Sequence, residues 1–244
     1  METRGISNDS RGRGMMTQRS PLRVAAPAPF RHGPGQRAVA RLTLICFLAL
    51  LAHGSAPPAS ATGTDTALGH VTTVHGQGDF TANTDILTEF SQESSSVILD
   101  WHTDIQQPAA HSLEFRQDEG FAVLNRSPGE RASDFWGRVI CDATCIFANE
   151  AGIYFGDGSY IDVGRMFAVS GRIAEDDFMA GLHRFTDLGG SVVNHGTLRG
   201  EQIALLGHHV ANYGSVETPQ GSFMMLAADE IWLREHGSPV LTRA

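Results

Sequence analysis

The sequence predicts an all-β fold: a right-handed parallel β-helix, wound as a single-stranded solenoid, with a short excursion out of the helix and a signal peptide ahead of it. Three observations predict it. Residues Val193-Asn194-His195-Gly196-Thr197-Leu198 and Ala211-Asn212-Tyr213-Gly214-Ser215-Val216 spell the same Asn-x-Gly-[Ser/Thr]-aliphatic unit 18 residues apart. Each unit is followed by a second apolar run, Ile203-Ala204-Leu205-Leu206 and then Phe223-Met224-Met225-Leu226, now 20 residues apart, with Pro219-Gln220 as the insertion. A period near 20 residues with β-prone runs between Asn/Gly turns is the mark of stacked coils, since one coil cannot bury its own inner face. Asn194, Gly196, Asn212 and Gly214 are therefore read as coil turns, where Asn bonds to neighbouring backbone and tolerates the left-handed conformation, and Gly supplies positive φ. An antiparallel β-sandwich with two similar hairpins is the alternative that pattern alone leaves open.

Taken in order, residues 1–61 read as a long leader. Arg37 and Arg41 precede the apolar run Leu42 to Ala52, which is too short to span a bilayer but suits a signal-peptide core. Pro57-Pro58 and the small residues Ala59-Ser60-Ala61 place cleavage after Ala61; a start at Met15 or Met16 would shorten the leader. Cys46 sits in no lipobox. Residues 62–95, rich in Thr, Ser, Gly and Asp, read as an N-terminal cap, and 96–244 as the β-helix. Strand-like runs follow at 96–99, 112–115, 121–124, 146–148, 153–155, 160–163 and 166–169, separated by turn residues. One helical interruption is expected from Ala174 to Phe185, where Phe178, Leu182 and Phe185 fall at i, i+4, i+7. The repeats then run from Gly189 to Leu233.

Charge narrows the partners. The chain has 244 residues and no Lys. Eight of its 18 Arg fall in residues 1–41, whereas residues 62–244 carry 10 Arg against 25 acids, a balance of −15. That acidity excludes nucleic acid, which needs a basic footprint. Cys141 and Cys145 are the mature cysteines, and an even pair in a secreted chain points to a disulfide across a turn at Asp142-Ala143-Thr144. Two cysteines without a second pair make no tetrahedral metal site, and the neighbours His208 and His209 point to opposite faces of a strand. No metal and no cofactor are expected.

Signals of catalysis are weak. No G-x-S-x-G element is present. Gly76-Gln77-Gly78 and Gly156-Asp157-Gly158 read as turns rather than phosphate cradles. Asp176-Asp177 and Asp229-Glu230 are adjacent acids, not carboxylates facing each other across a cleft. Trp101, Trp136 and Trp232 could stack on sugars, but packing is the commoner use of isolated aromatics.

An ordered series of motifs then resembles a family. Leu124-Asn125-Arg126-Ser127-Pro128-Gly129, continuing to Ser133-Asp134-Phe135-Trp136-Gly137, is similar to L-N-R-V-x-G followed by S-x-I-x-G. Ile146 to Gly156, with Asn149 and Gly152 at the turn, resembles a strand, an N-P-N-G turn and a second strand. Tyr160 to Gly164, Asp177 to Phe185 and Gly190 to Gly196 fit the coils that follow. This is the pattern of the N-terminal two-partner-secretion domain of filamentous-haemagglutinin-type exoproteins, the haemagglutination activity domain, and it covers about residues 70–235. The chain departs from it at Glu150-Ala151, which replace Pro-Asn, and at Asp104, which stands where the early I-N-W-x-x-F-x-I motif has Phe. The N-P-N-L motif has no counterpart.

The resemblance implies a secreted, adhesin-like exoprotein domain with no catalysis of its own, at the bacterial cell surface or in the medium, reached through Sec and the periplasm. It implies an export signal read by the periplasmic domains of an outer-membrane TpsB-type β-barrel transporter, with Leu124, Asn125, Arg126, Gly129, Ser133, Gly137, Asn149 and Gly152 as the motif residues. It also implies a host-surface or glycan ligand. The long repetitive body of such exoproteins is missing, which reads as a truncated gene, a fragment or a stand-alone member. A β-helix polysaccharide-active enzyme or a carbohydrate-binding surface module is the alternative function.

Overall fold

The computed structural model describes residues 61–233 and the strand 241–243. The leader, Cys46 and the alternative starts lie outside the described residues. The chain opens with two antiparallel hairpins, β1 (Thr62–Thr66) with β2 (Gly69–His75) and β3 (Gly78–Thr84) with β4 (Leu87–Gln92). β2 also lies antiparallel to β5 (Ser96–Trp101). After β5 come β6 (Gln106–Gln107), β7 (Ser112–Arg116), β8 (Ala122–Arg126), β9 (Ser133–Phe135), β10 (Arg138–Ala148), β11 (Gly152–Phe155) and β12 (Tyr160–Val169). An excursion holds β13 (Arg172–Ile173), α1 (Glu175–Met179) and β14 (His183–Thr186). The chain returns through β15 (Ser191–Asn194), β16 (Thr197–Gly207), β17 (His209–Asn212), β18 (Ser215–Glu217) and β19 (Ser222–Ala227), and ends with β20 (Glu230–Leu233) and β21 (Leu241–Arg243).

These strands wind into a parallel β-helix of about six turns with three faces. The first face stacks β4, β7, the leading halves of β10, β12 and β16, and β18. The second stacks β5, β8, the trailing halves of the same long strands, and β19. The third stacks β6, β9, β11, β15 and β17. Every one of these pairings is parallel, which rules out the sandwich. Parallel pairing begins at Leu87, within the segment read as a cap, while β1, β2 and β3 close the first coil with antiparallel strands. Such strands cover an edge that would otherwise offer its backbone to any passing chain.

Register explains the inner core. Val97, Val123, Cys145, Met166, Ile203 and Phe223 occupy one inward column, and Thr88, Leu113, Val139, Ile161, Leu198 and Val216 another. Because coils are a strand spacing apart, about 4.8 Å, each inward side chain rests on its equivalents above and below. Phe135 and Phe155 stack at 5.4 Å in the third face, and Phe147 reaches across to Phe135 at 5.0 Å.

The two sequence repeats are consecutive coils. Asn194 pairs with Asn212, Leu198 with Val216, and Ile203 with Phe223. The change of offset from 18 to 20 residues falls at Thr218 to Gly221, where the path that is one unbroken strand in β16 divides into β18 and β19.

The second face is apolar on both sides. Ile98, Leu124, Ile146, Phe167 and Ala204 point outward yet are at most 2% exposed. They form a second core with Phe178, Phe185 and Ile231 under a flanking antiparallel sheet, β13-β14-β20-β21. A sheet covered on both faces loses the inside–outside alternation, which is why these strands read as continuous apolar runs. The excursion is only partly helical. α1 spans five residues, with Glu175, Asp176 and Asp177 in its first turn, where acids favour the helix dipole. Gly181 (φ 68°) ends the turn, Leu182 is 55% exposed, and Phe185 reaches the core from a strand. The i, i+4, i+7 pattern thus joins one helical turn to one strand. Leu226 pairs with Leu206 on the outer side of the second face, whereas Leu205 points inward.

The corner between the first and second faces carries the disulfide. Cys141 and Cys145 flank a register shift in β10 and are bridged, with Cα atoms 6.3 Å apart. Both are buried. At the same corner the next coils have Gly164 and Gly200, where a Cβ would come within 2.6 Å of the backbone oxygens of Ala143 and Val163. The bridge thus pins a turn that the following coils make with glycine.

Two outcomes follow. Leu205→Ala is expected to destabilise the purified protein by about 2–5 kcal/mol, and Leu226→Ala, which is half-buried, by less; urea unfolding measures both, and equal losses would contradict the assignment of inner and outer columns. Replacing both Cys141 and Cys145 by Ala should lower stability by about 2 kcal/mol, the chain-entropy value for so short a loop, in the same assay.

Candidate functional site

Apart from Gly137, which lies at the corner between the third and first faces, the residues picked out by the motifs lie at or beside the corner between the second and third faces. At its centre is Asp104, 5% exposed. Its carboxylate accepts the backbone N–H groups of Gly129 and Arg131, each at 2.9 Å, and the Asn149 side-chain amide at 2.9 Å. Asn149, 1% exposed, donates also to the Arg131 carbonyl (2.9 Å) and to Ser133 Oγ (2.8 Å), and its own Oδ1 accepts the Ala151 N–H at 2.9 Å. Three coils are tied together by this network, since Asp104, Ser133 and Asn149 come from successive turns. A buried carboxylate is tolerated only when it is so satisfied. By its motif Asp104 stands at an apolar position; the structure makes it the hub, a role visible only once Gly129, Arg131 and Asn149 are brought to it.

The neighbouring motif residues are equally fixed. Asn125 accepts the Trp101 indole N–H at 3.0 Å and is 1% exposed. Gly129 and Gly152 have φ of 80° and 126°, and a Cβ on Gly152 would also lie 2.5 Å from the Ser191 carbonyl oxygen. Gly137 is required for closeness instead, because a Cβ would sit 2.0 Å from the His111 carbonyl oxygen. Leu124 belongs to the outer core. Arg126 alone among these long side chains reaches the surface. It makes two bonds to Asp100, at 2.5 and 2.9 Å, and approaches Glu175 at 3.7 Å.

An open cleft of about 490 Å³ lies over this corner, lined by Arg126, Ser127, Pro128, Glu150 and Arg172 among others. Arg172 pairs with Glu150, and that hydrogen bond, followed by the carboxylate charge, holds the guanidinium above its usual range. Across the third face, burial raises the Asp134 carboxyl against the opposing charge of Arg131.

The coil turns form a second, smaller ladder. Asn194, fully buried, donates to Asn212 Oδ1 at 2.8 Å and accepts the Gly196 N–H at 3.0 Å. Among the described residues the only non-glycine with positive φ is Asp187, and neither Gly196 nor Gly214 has positive φ. Their reason is proximity: a Cβ on Gly196 would meet Ser159 Oγ at 2.0 Å, and one on Gly214 the Gly196 carbonyl oxygen at 2.1 Å. The expectation of left-handed turns at these positions is thereby corrected; the coils stack too closely there for a side chain. No group of His, Cys, Asp and Glu among the described residues is arranged to hold a metal ion.

The chain belongs to the TPS (two-partner secretion) secretion domain family, whose model matches residues 72–235. Among solved structures it is similar to the HMW1 secretion domain from Haemophilus influenzae, at 22% identity and a TM-score of 0.60, covering 68% of this chain and 46% of that one. This likeness shows the shared β-helix fold. No match was found among curated proteins. Proteins with this domain are secreted, the family is one of export domains rather than enzymes, and it implies a transporter of the TpsB class as partner. No helix among the described residues is long and apolar enough to cross a membrane.

Asp104→Asn should cost about 1–3 kcal/mol, because an amide would turn N–H toward donors already there. Urea unfolding checks this against Asp157→Asn on an exposed turn; equal midpoints would show that the corner network contributes nothing.

Proposed function

We propose that this protein is the export domain of a filamentous-haemagglutinin-type, adhesin-like exoprotein, carried through Sec to the periplasm and recognised there by the periplasmic domains of an outer-membrane TpsB-type transporter. The family match across residues 72–235 supports the class of this reading. One structural observation carries the mechanism. Of the eight motif residues, Leu124, Asn125, Ser133, Gly137, Asn149 and Gly152 are buried in the folded domain. A transporter that reads them reads them before they fold. Recognition therefore acts on an extended chain, and strand addition to a sheet edge is the mode such a chain can use, with backbone bonds giving affinity and alternate side chains giving specificity.

Folding then acts at the far side of the outer membrane. A stacked coil with a buried inner column cannot pass back through a pore that admits an extended chain, so closure of the column biases transport outward. The same side chains serve twice: as signal while extended, and as corner ties once folded. The ligand at the host surface is a glycan or a surface protein met by the outward faces.

The test is a secretion assay in cells expressing a cognate transporter. Asn149→Ala should reduce crosslinking of the chain to the transporter's periplasmic domains and so reduce export. Leu205→Asp should leave that crosslinking intact yet lower the amount in the medium several-fold. Normal export of Leu205→Asp would remove the coupling between folding and transport, and normal crosslinking of Asn149→Ala would remove the motif from recognition.

A further inference from the structure

A strip of four aromatic rings runs down the outside of the third face. Trp136, Tyr154, His195 and Tyr213 come from four successive coils, with centroids 5.4, 5.5 and 4.9 Å apart from ring to ring. Their planes are tilted by 51°, 42° and 30°, so they are not closed face to face on one another. Trp136 is 40% exposed and Tyr213 73% exposed, and His195 is also exposed. None of the four belongs to either core cluster. The strip is nonetheless held in place. A Cβ on Gly156 would lie 2.2 Å from the Trp136 ring, so the indole rests on the backbone of the next coil.

We propose that this strip binds a neutral oligosaccharide. Aromatic side chains with polar edges suit a ligand that has an apolar C–H face and a rim of hydroxyls. A coil repeat of about 4.8 Å is close to the length of one pyranose unit, so a linear glycan laid along the solenoid meets a ring at each coil. Asp134, outward on the same face and paired with Tyr154, supplies an acceptor for a sugar hydroxyl. Charge selects among glycans: 25 acids against 10 Arg and no Lys in residues 62–244 repel sulfated and uronic-acid chains. Tyr154 lies on β11, and Trp136, His195 and Tyr213 each directly follow a strand of the third face, so little ordering is needed on binding. This deepens the adhesin reading above and rests on it for its biological setting, while the binding itself is measured apart from export.

The experiment is calorimetric titration of the purified full chain with chitotetraose, cellotetraose and a heparin tetrasaccharide. Saturable binding of a neutral tetrasaccharide, with none of the heparin fragment, is expected. Trp136→Ala and Tyr213→Ala should each weaken it at least tenfold with an unchanged circular dichroism spectrum, and Ile86→Ser, 65% exposed off the strip, should not. Tyr213→Ala should still be exported normally, which separates a failure here from a failure of the export reading. Absence of binding to both neutral tetrasaccharides, or unchanged affinity in Tyr213→Ala, overturns the proposal. So does a dimer in sedimentation that Tyr213→Ala abolishes, which would make the strip a contact between copies.

Discussion

Parallel coils in strict register have to repeat one another. Once β7, β10, β12 and β16 pair residue by residue on the first face, every inward position must hold a group that packs on its equivalent one strand spacing away. The inner columns, the glycines at close approaches and the polar ties at the corners are all consequences of that requirement. A side chain pointing inward in one coil cannot move outward without taking its strand out of register, since a slip of one residue reverses every side chain.

The corners are where this regularity is hardest to keep, because the backbone turns and leaves groups unpaired. The protein meets that in three ways. Asp104 and Asn149 take up loose N–H groups with buried polar side chains. Gly164 and Gly200 let successive turns approach. At Cys141 and Cys145 a covalent bridge restrains a turn whose register shifts. Residues that the sequence motifs single out, Gly129 and Asn149 among them, thus hold the folded corner together.

Those outer faces differ. The first is charged, with Arg116 bridging Glu89 and Glu114. The second is apolar and covered by the flanking sheet. The third carries the aromatic strip. A solenoid can specialise its sides in this way because inward and outward residues alternate, so one set fills the core while the other is free to vary.

Sequence alone settled what repeats: the solenoid, read from Asn194/Gly196 against Asn212/Gly214. Repetition is legible because stacking imposes the same residue types at the same interval. Contacts between coils were not legible, since nothing local marks which residues meet. Asp104 looked like a lost apolar position until three coils brought Gly129, Arg131 and Asn149 to it. Phe185 looked helical because its burial comes from the flanking sheet, not from the turn before it. The tertiary structure decided these because burial from outside the solenoid, and bonds between turns about 20 residues or more apart, leave no period in the chain.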